Sequence, residues 1–307
     1  MNWKKLKLFA IVLLLLMNGW FLFRIAQRNY SAMHYEKDLI TASIGVFRKS
    51  ELYVDRSFLE KTIQELPVYT GSVDENSEML LAITHTLSNR GYQISKEING
   101  VRFTDVIGEF YFGDDFSFYY KERAHYEMPS TLLATERYIR LTPENRYRQD
   151  AFRVASDFMS RYLASGDERH GFRIFYSEVY SSGVNYIVTL TQRIDGVPIY
   201  GEICLLVSGG RVTAADGLFV TSTPTRKETA QTTDLVNILF MEKAFLDARY
   251  REGGSFSYTP MVLSKAVYSY AVYFDATGTF YFVPLCTVTY MNGETRSYNC
   301  VSGKLYS

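Results

Sequence analysis

Cysteine is scarce in this 307-residue chain: Cys204, Cys286 and Cys300 are its only three. At those spacings they form neither a disulfide framework nor a Cys-x-x-Cys metal site. Histidine is nearly as rare. His34, His85, His125 and His170 are scattered, with no His-Glu-x-x-His run, whereas a metal site needs several ligands together. There is no Gly-x-Ser-x-Gly elbow and no phosphate loop of the Walker type, so two common catalytic signatures are missing. Charge of one sign is not in excess. The 33 Lys and Arg balance 33 Asp and Glu, which argues against a dedicated nucleic-acid binder. Asp114-Asp115, set between Gly113 and two aromatic runs, is more simply a turn than an acid pair or a calcium ligand set. The expectation is a protein that is not an enzyme and needs no cofactor or metal. Spacing is silent only on glycosidase carboxylates, which keep no fixed local separation.

What is present begins at the N-terminus. Between Lys7 and Arg24 there is no charged residue, and Leu8–Phe23 is almost wholly apolar. A bilayer core takes roughly 17–25 helical residues, which the run reaches if Leu6 and Ile25 join it and the flanking basic stems snorkel. Asn18-Gly19-Trp20-Phe21 is too bulky for a small-x-small cleavage site, so a retained transmembrane helix is expected. Lys4, Lys5 and Lys7 precede it, which favours an N-terminus inside and the bulk outside the cytoplasm. Asn18 and Gly19 are the candidate partner-contact residues in the span. An amide in hydrocarbon gains about 0.6–2 kcal/mol from an inter-helix partner, and glycine permits close approach. Hydration of Asn18 at the outer headgroups is the alternative.

Beyond the span, helical spacing extends from Ile25 to Lys49, and Leu52-Tyr53-Val54 reads as extended. Asp55 is an N-cap for a helix over 56–65, which Pro67 ends. A helix carrying Met79, Leu80, Ile83 and Leu87 stops at Gly91. Two hairpins follow, one turning at Asn99-Gly100 and one at Gly113-Asp114-Asp115. A helix is expected over 131–140. Another is capped by Thr142-Pro143-Glu144 and carries Ala151, Ala155, Phe158 and Met159 on one face. Strands are expected at 172–180, 186–194, 199–207 and 212–220, then a polar linker at 221–233. A helix with Leu235, Ile238, Leu239, Glu242 and Leu246 follows, then strands at 258–263, 267–274, 280–288 and 296–301.

The last two segments share a helix-then-strands order, and Val197-Pro198-Ile199 aligns with Val283-Pro284-Leu285. The fold class expected is α+β: an N-terminal transmembrane helix, then an extracytoplasmic part of repeated helix-plus-antiparallel-sheet units. The divisions expected are a cytoplasmic tip and transmembrane helix (1–26), a juxtamembrane connector (27–70) and an N-terminal α+β domain (71–141). A C-terminal domain (142–307) holds two repeated units, 142–222 and 230–307. Cys286 and Cys300 flank Asn292-Gly293. A two-residue turn there puts them on opposite faces, a three-residue loop puts them across from each other, and buried free thiols are the third option.

Several stretches resemble the YycI (WalI) family: Asn2-Trp3-Lys4-Lys5-Leu6-Lys7, Met17-Asn18-Gly19-Trp20-Phe21-Leu22, Leu52 to Leu59, Tyr268-Ser269-Tyr270, Val283-Pro284-Leu285 and Ser302-Gly303. Gln192 to Gly201 resembles the hairpin of PepSY-type modules. The resemblance spans the chain in short motifs. It departs from the family ending at Leu285, where a Trp is usual, and at Cys300-Val301, where Asn-Ala is usual. It implies a single-pass cell-membrane protein that is not an enzyme and works with a YycH-like partner. Together they would modulate a WalK (YycG)-like sensor histidine kinase of a cell-wall-regulating two-component system. The alternative expectation is an anchored PepSY-like module that binds or inhibits an extracellular peptidase. An envelope hydrolase would require carboxylates gathered in a cleft.

Overall fold

The computed structural model describes residues 37–306 except 60–65, 75, 124–126, 136, 164–171, 231 and 253–259. The expected membrane span, Asn18 and Gly19 lie outside the described residues. Among the described residues no helix is long and apolar enough to cross a membrane. The fold is α+β with two sheets.

The described residues fall into two compact units, each assembled from separated stretches: those within 37–64, 233–266 and 288–296 form one; those within 65–232, 267–287 and 297–306 form the other. The second unit holds a ten-stranded sheet. Its hairpins are β3 (Gln93–Glu97) with β4 (Gly100–Thr104), and β5 (Gly108–Gly113) with β6 (Ser117–Glu122). After these come β7 (Ile139–Arg140), β8 (Phe172–Ser181), β9 (Tyr186–Ile194), β10 (Val197–Pro198), β11 (Ile203–Ser208) and β12 (Arg211–Leu218). The spatial order is β3-β4-β5-β6-β12-β11-β9-β8-β7, with β10 on β9.

Register explains its two faces. Phe103, Phe110, Tyr120, Ala215, Leu205, Val188 and Val179 are successive cross-strand partners from β4 to β8, and all are buried. Side chains alternate along a strand, so this row makes one apolar face. Helix α5 (Arg146–Tyr162) packs on β8, β9, β11 and β12 and meets α3 (Glu78–Asn89). Its Phe158 lies 5.0 Å from the Tyr120 ring and 6.0 Å from that of Phe110. Helix α5 begins at Arg146, capped by Asn145, whose side chain accepts from the Tyr147 amide. Thr142-Pro143-Glu144 forms only the turn before it, because the Asn145 amide bonds back to the Thr142 carbonyl. The neighbouring short helix, α4 (Pro129–Leu133), starts two residues before the expected 131. Pro129 takes the first helical position, which requires no amide donor, and β7 then occupies 139–140, where helix had been expected.

The same unit contains β2 (Val68–Ser72), β13 (Arg226–Glu228) and parts of β14 (Met261–Phe274) and β15 (Thr279–Tyr290), joined in the seven-stranded sheet. The expected polar linker is not free chain. Thr221 and Ser222 are buried, and β13 pairs with β2. The expected strands at 258–263 and 267–274 differ too: from Met261 onward they are one strand, β14. Phe280, Phe282, Tyr270 and Tyr69 join the core of the ten-stranded sheet.

The first unit holds helical residues 37–48 (α1), β1 (Leu52–Tyr53), α2 (Arg56–Leu59) and α6 (Leu235–Glu252). The start of β14, the end of β15 and the start of β16 (Thr295–Asn299) complete it. Asp55 caps α2 through the Ser57 amide at 2.8 Å. Strand β1 pairs parallel with β14, Leu52 opposite Met261. Phe47 and Phe240 pack at 4.9 Å.

Candidate functional site

Asn18 and Gly19 fall outside the described residues, so the sites with described geometry lie in the second unit. The first is the hairpin at Gln192–Gly201. Asp195 and Gly196 both have positive φ, 49° and 82°, which a two-residue turn matching strand twist requires. Gln192, 2 % exposed, uses its amide as a substitute strand: Nε2 donates to the Val220 carbonyl at 3.0 Å, and Oε1 accepts from the Val220 amide at 2.6 Å. The Tyr200 amide donates to the Tyr270 carbonyl at 2.7 Å, which docks the hairpin on β14.

Asp195 then gathers side chains from two strands. Its Oδ2 accepts from Lys227 Nζ on β13 at 2.6 Å and from the Tyr69 hydroxyl on β2. Tyr69 sits edge-on to Tyr270 at 5.4 Å, with Lys227 over its ring at 5.3 Å. The Lys227 and Tyr69 bonds hold the Asp195 carboxyl below its ordinary range. Burial, then Asp195, pushes the Tyr69 phenol up, and burial does the same to Tyr270. Both phenols are therefore neutral at physiological pH, and the Lys227 and Tyr69 bonds to Asp195 fasten the turn to β13 and β2. Sequence reading missed Tyr69 and Lys227. Lys227 lay in the expected linker and Tyr69 in the expected connector, and strands this short leave almost no periodicity.

The second site is the face of the ten-stranded sheet opposite the core. Ser95, Arg102, Tyr111, Tyr119, Asp216, Cys204, Thr189 and Glu178 are successive partners across eight strands. Helix α4 packs over β11 and β12. Leu132 and Leu133 cover Cys204 and Leu206, and Asp216 accepts from the Ser130 amide at 3.0 Å. Over β3–β6 the row is polar and aromatic. Tyr111 and Tyr119 stack at 5.3 Å, with the Arg102 guanidinium 5.5 Å and 5.8 Å from their centroids. Arg102 also binds Glu97 at 2.5 Å and Glu109 at 3.2 Å, and Lys121 binds Glu109 at 3.0 Å. The Arg102 bond holds the Glu97 carboxyl below its usual range; at Glu109 burial pushes the other way, and Lys121 first, then Arg102, outweigh it and hold that carboxyl low as well.

All three cysteines are buried free thiols. Cys300 bonds the Pro284 carbonyl through its amide, and the Thr287 and Ser297 hydroxyls meet at 2.8 Å. In that register Cys286 faces Tyr298 and Cys300 faces Pro284. The two thiols are diagonal neighbours on one face, neither directly opposed nor on opposite faces. Diagonal pairs lie about 7–8 Å apart, beyond the usual disulfide reach. The loop does have three residues: the Tyr290 amide bonds the Glu294 carbonyl around 291–293. It sits one residue earlier than direct opposition needs. Burial pushes the Cys204 and Cys286 thiols up to about 12, so neither is a nucleophile near neutral pH. Among the described residues no group of three His, Cys, Asp or Glu could hold a metal ion.

No family model and no curated protein matches the chain. Two solved structures are similar. An uncharacterized protein from Eubacterium rectale ATCC 33656 is 11% identical, with 80% of this chain and 86% of that one covered at a TM-score of 0.44. The Bacillus megaterium YpeB C-terminal domain is 12% identical, with 77% and 96% covered at a TM-score of 0.33.

Proposed function

We propose that this chain is a single-pass cell-membrane protein, N-terminus cytoplasmic and bulk extracytoplasmic. In this reading it modulates a WalK (YycG)-like sensor histidine kinase together with a YycH-like partner and performs no catalysis. The observation that carries the proposal is the charge-free run Leu8–Phe23 between Lys7 and Arg24, with Asn18 and Gly19 inside it. An amide and a glycine within an apolar span suit close contact with a second membrane helix. The resemblance to YycI supplies the kind of partner.

Replacing residues 8–23 by an unrelated apolar span should bring a kinase-output reporter to the level of a deletion strain; unchanged output would refute coupling through the helix. Asn18→Leu should weaken association with the kinase span several-fold in a membrane two-hybrid assay, and an equal signal would remove Asn18 from the contact. A second reading, an anchored module that binds an extracellular peptidase, is favoured by the docked hairpin at 192–201. Capture of a peptidase but no kinase by the full chain would select it.

A further inference from the structure

A cavity of about 550 Å³ in the second unit takes no part in the reading above. It lies where the β5–β6 turn, Asn99, the end of β2 and the β14–β15 turn come together. That volume falls within the range of small-molecule sites, about 300–1,000 Å³. Two aromatic rings line it. Tyr111 is fixed by stacking on Tyr119 and by its hydroxyl, which donates to the Asn99 carbonyl at 2.9 Å. Phe274 packs on the buried Phe116 at 5.2 Å yet stays 38 % exposed. Between them the lining is hydroxyl and carboxylate: Ser72, Ser117, Thr277, Asp114 and Asp115.

The lining chemistry selects the ligand. Among the described residues that line the cavity none is a lysine, arginine or histidine, and the two carboxylates, Asp114 and Asp115, disfavour an anionic ligand. A wholly apolar ligand would strip water from hydroxyls and carboxylates without replacing their bonds. A saccharide satisfies both requirements. Its hydroxyls can donate to carboxylates and exchange bonds with serine and threonine. Its C–H face suits the electron-rich face of an aromatic ring. The cavity is also preformed. The Gly113 Cα permits this turn because a side chain there would run into Ser117 Oγ and Asp115 Oδ1, at 2.3 Å and 2.4 Å from a Cβ. Phe116 holds the left-handed conformation, φ 62°, that closes the loop.

We infer that the cavity between the β5–β6 and β14–β15 turns binds a short, non-anionic oligosaccharide, with Tyr111 and Phe274 as its platforms and Asp114 and Asp115 as acceptors. The test is calorimetric titration of the full chain in detergent with chitotriose, the corresponding glucosamine trimer and maltotriose. At least one should bind saturably, and both Phe274→Ala and Asp114→Asn should weaken that binding tenfold or more. Asp114→Asn removes one charge at an exposed turn, so a parent-like melting curve separates loss of binding from loss of fold. Absence of heat with all three at millimolar concentration, or binding that both variants retain in full, overturns the inference. Kinase coupling is read by the span replacement, so either idea can fail alone.

Discussion

Asp275 shows how much one carboxylate can organise. It closes the β14–β15 turn by accepting from the Thr277 amide and hydroxyl at 2.8 Å and 2.6 Å, the Thr279 amide at 3.0 Å and the Tyr281 hydroxyl at 3.0 Å. The Thr277 hydroxyl bond leads in drawing its pKa from the ordinary 3.8 down to about 2. A carboxyl depressed by folding stabilises the native state above its unfolded pKa, and that contribution is lost as pH falls through the folded value. Asp275→Asn should therefore flatten the acid limb. Between about pH 5 and pH 2 its melting temperature should fall less than the parent's, as differential scanning calorimetry would read; identical slopes would refute the assignment. Residues of this kind were legible in part. Asn99-Gly100 announces a hairpin, yet the loop is Ile98-Asn99, with Glu97 opposite Gly100. A turn at Asn99-Gly100 would have set Ile98 opposite Val101, so the register moved by two residues. Such a shift leaves every side chain on its expected face, whereas a shift of one would have inverted the strand. Gly100 is needed where it stands because a Cβ there would lie 2.2 Å from the Phe112 carbonyl oxygen, a close approach that sequence cannot reveal.

At the scale of elements, α6 carries a charged residue in its buried stripe. Glu242 is 0 % exposed and pairs with Arg296 of β16, itself 10 % exposed, which also binds Glu294 at 2.6 Å and lies 4.8 Å from the Phe245 ring. Removing one member of a buried pair leaves the other uncompensated at a cost of about 3–5 kcal/mol, whereas replacing both by apolar residues is often neutral or better. Arg296→Met should lower the unfolding free energy measured in urea by about 3–5 kcal/mol, and Glu242→Leu combined with Arg296→Met should recover most of it. A double variant no better than the single would show that the pair contributes more than its own neutralisation. The apolar spacing of α6 was visible because 3.6-residue periodicity survives one exception. The partner was not, because Arg296 lies 54 residues away in sequence. The long strands β8, β9 and β15 were likewise legible, and Leu52-Tyr53 of β1 was read as extended, whereas β7, β10 and β13, of two or three residues each, hold too few alternations to register.

At the scale of the whole molecule, the α+β class and the antiparallel pairing could be inferred from alternation and turns. The compact units could not, since each gathers stretches far apart in sequence. The core of the second unit includes Tyr69, Phe116 and Phe219 together with Tyr270, Phe280 and Phe282. A polypeptide ending at residue 232 should therefore keep strand signal in the far ultraviolet but lose the near-ultraviolet tyrosine bands and a cooperative melt, the marks of lost specific packing. A sharp two-state transition from that fragment would contradict a shared core.

The parallel pairing of β1 with β14 has a consequence in time. Leu52 leaves the ribosome about two hundred residues before Met261, its partner. At roughly 5–20 residues per second, Leu52 waits on the order of ten to forty seconds for that partner. Throughout that interval β1 lacks its strand partner, and a chaperone acting on the nascent chain has its best opportunity to hold it.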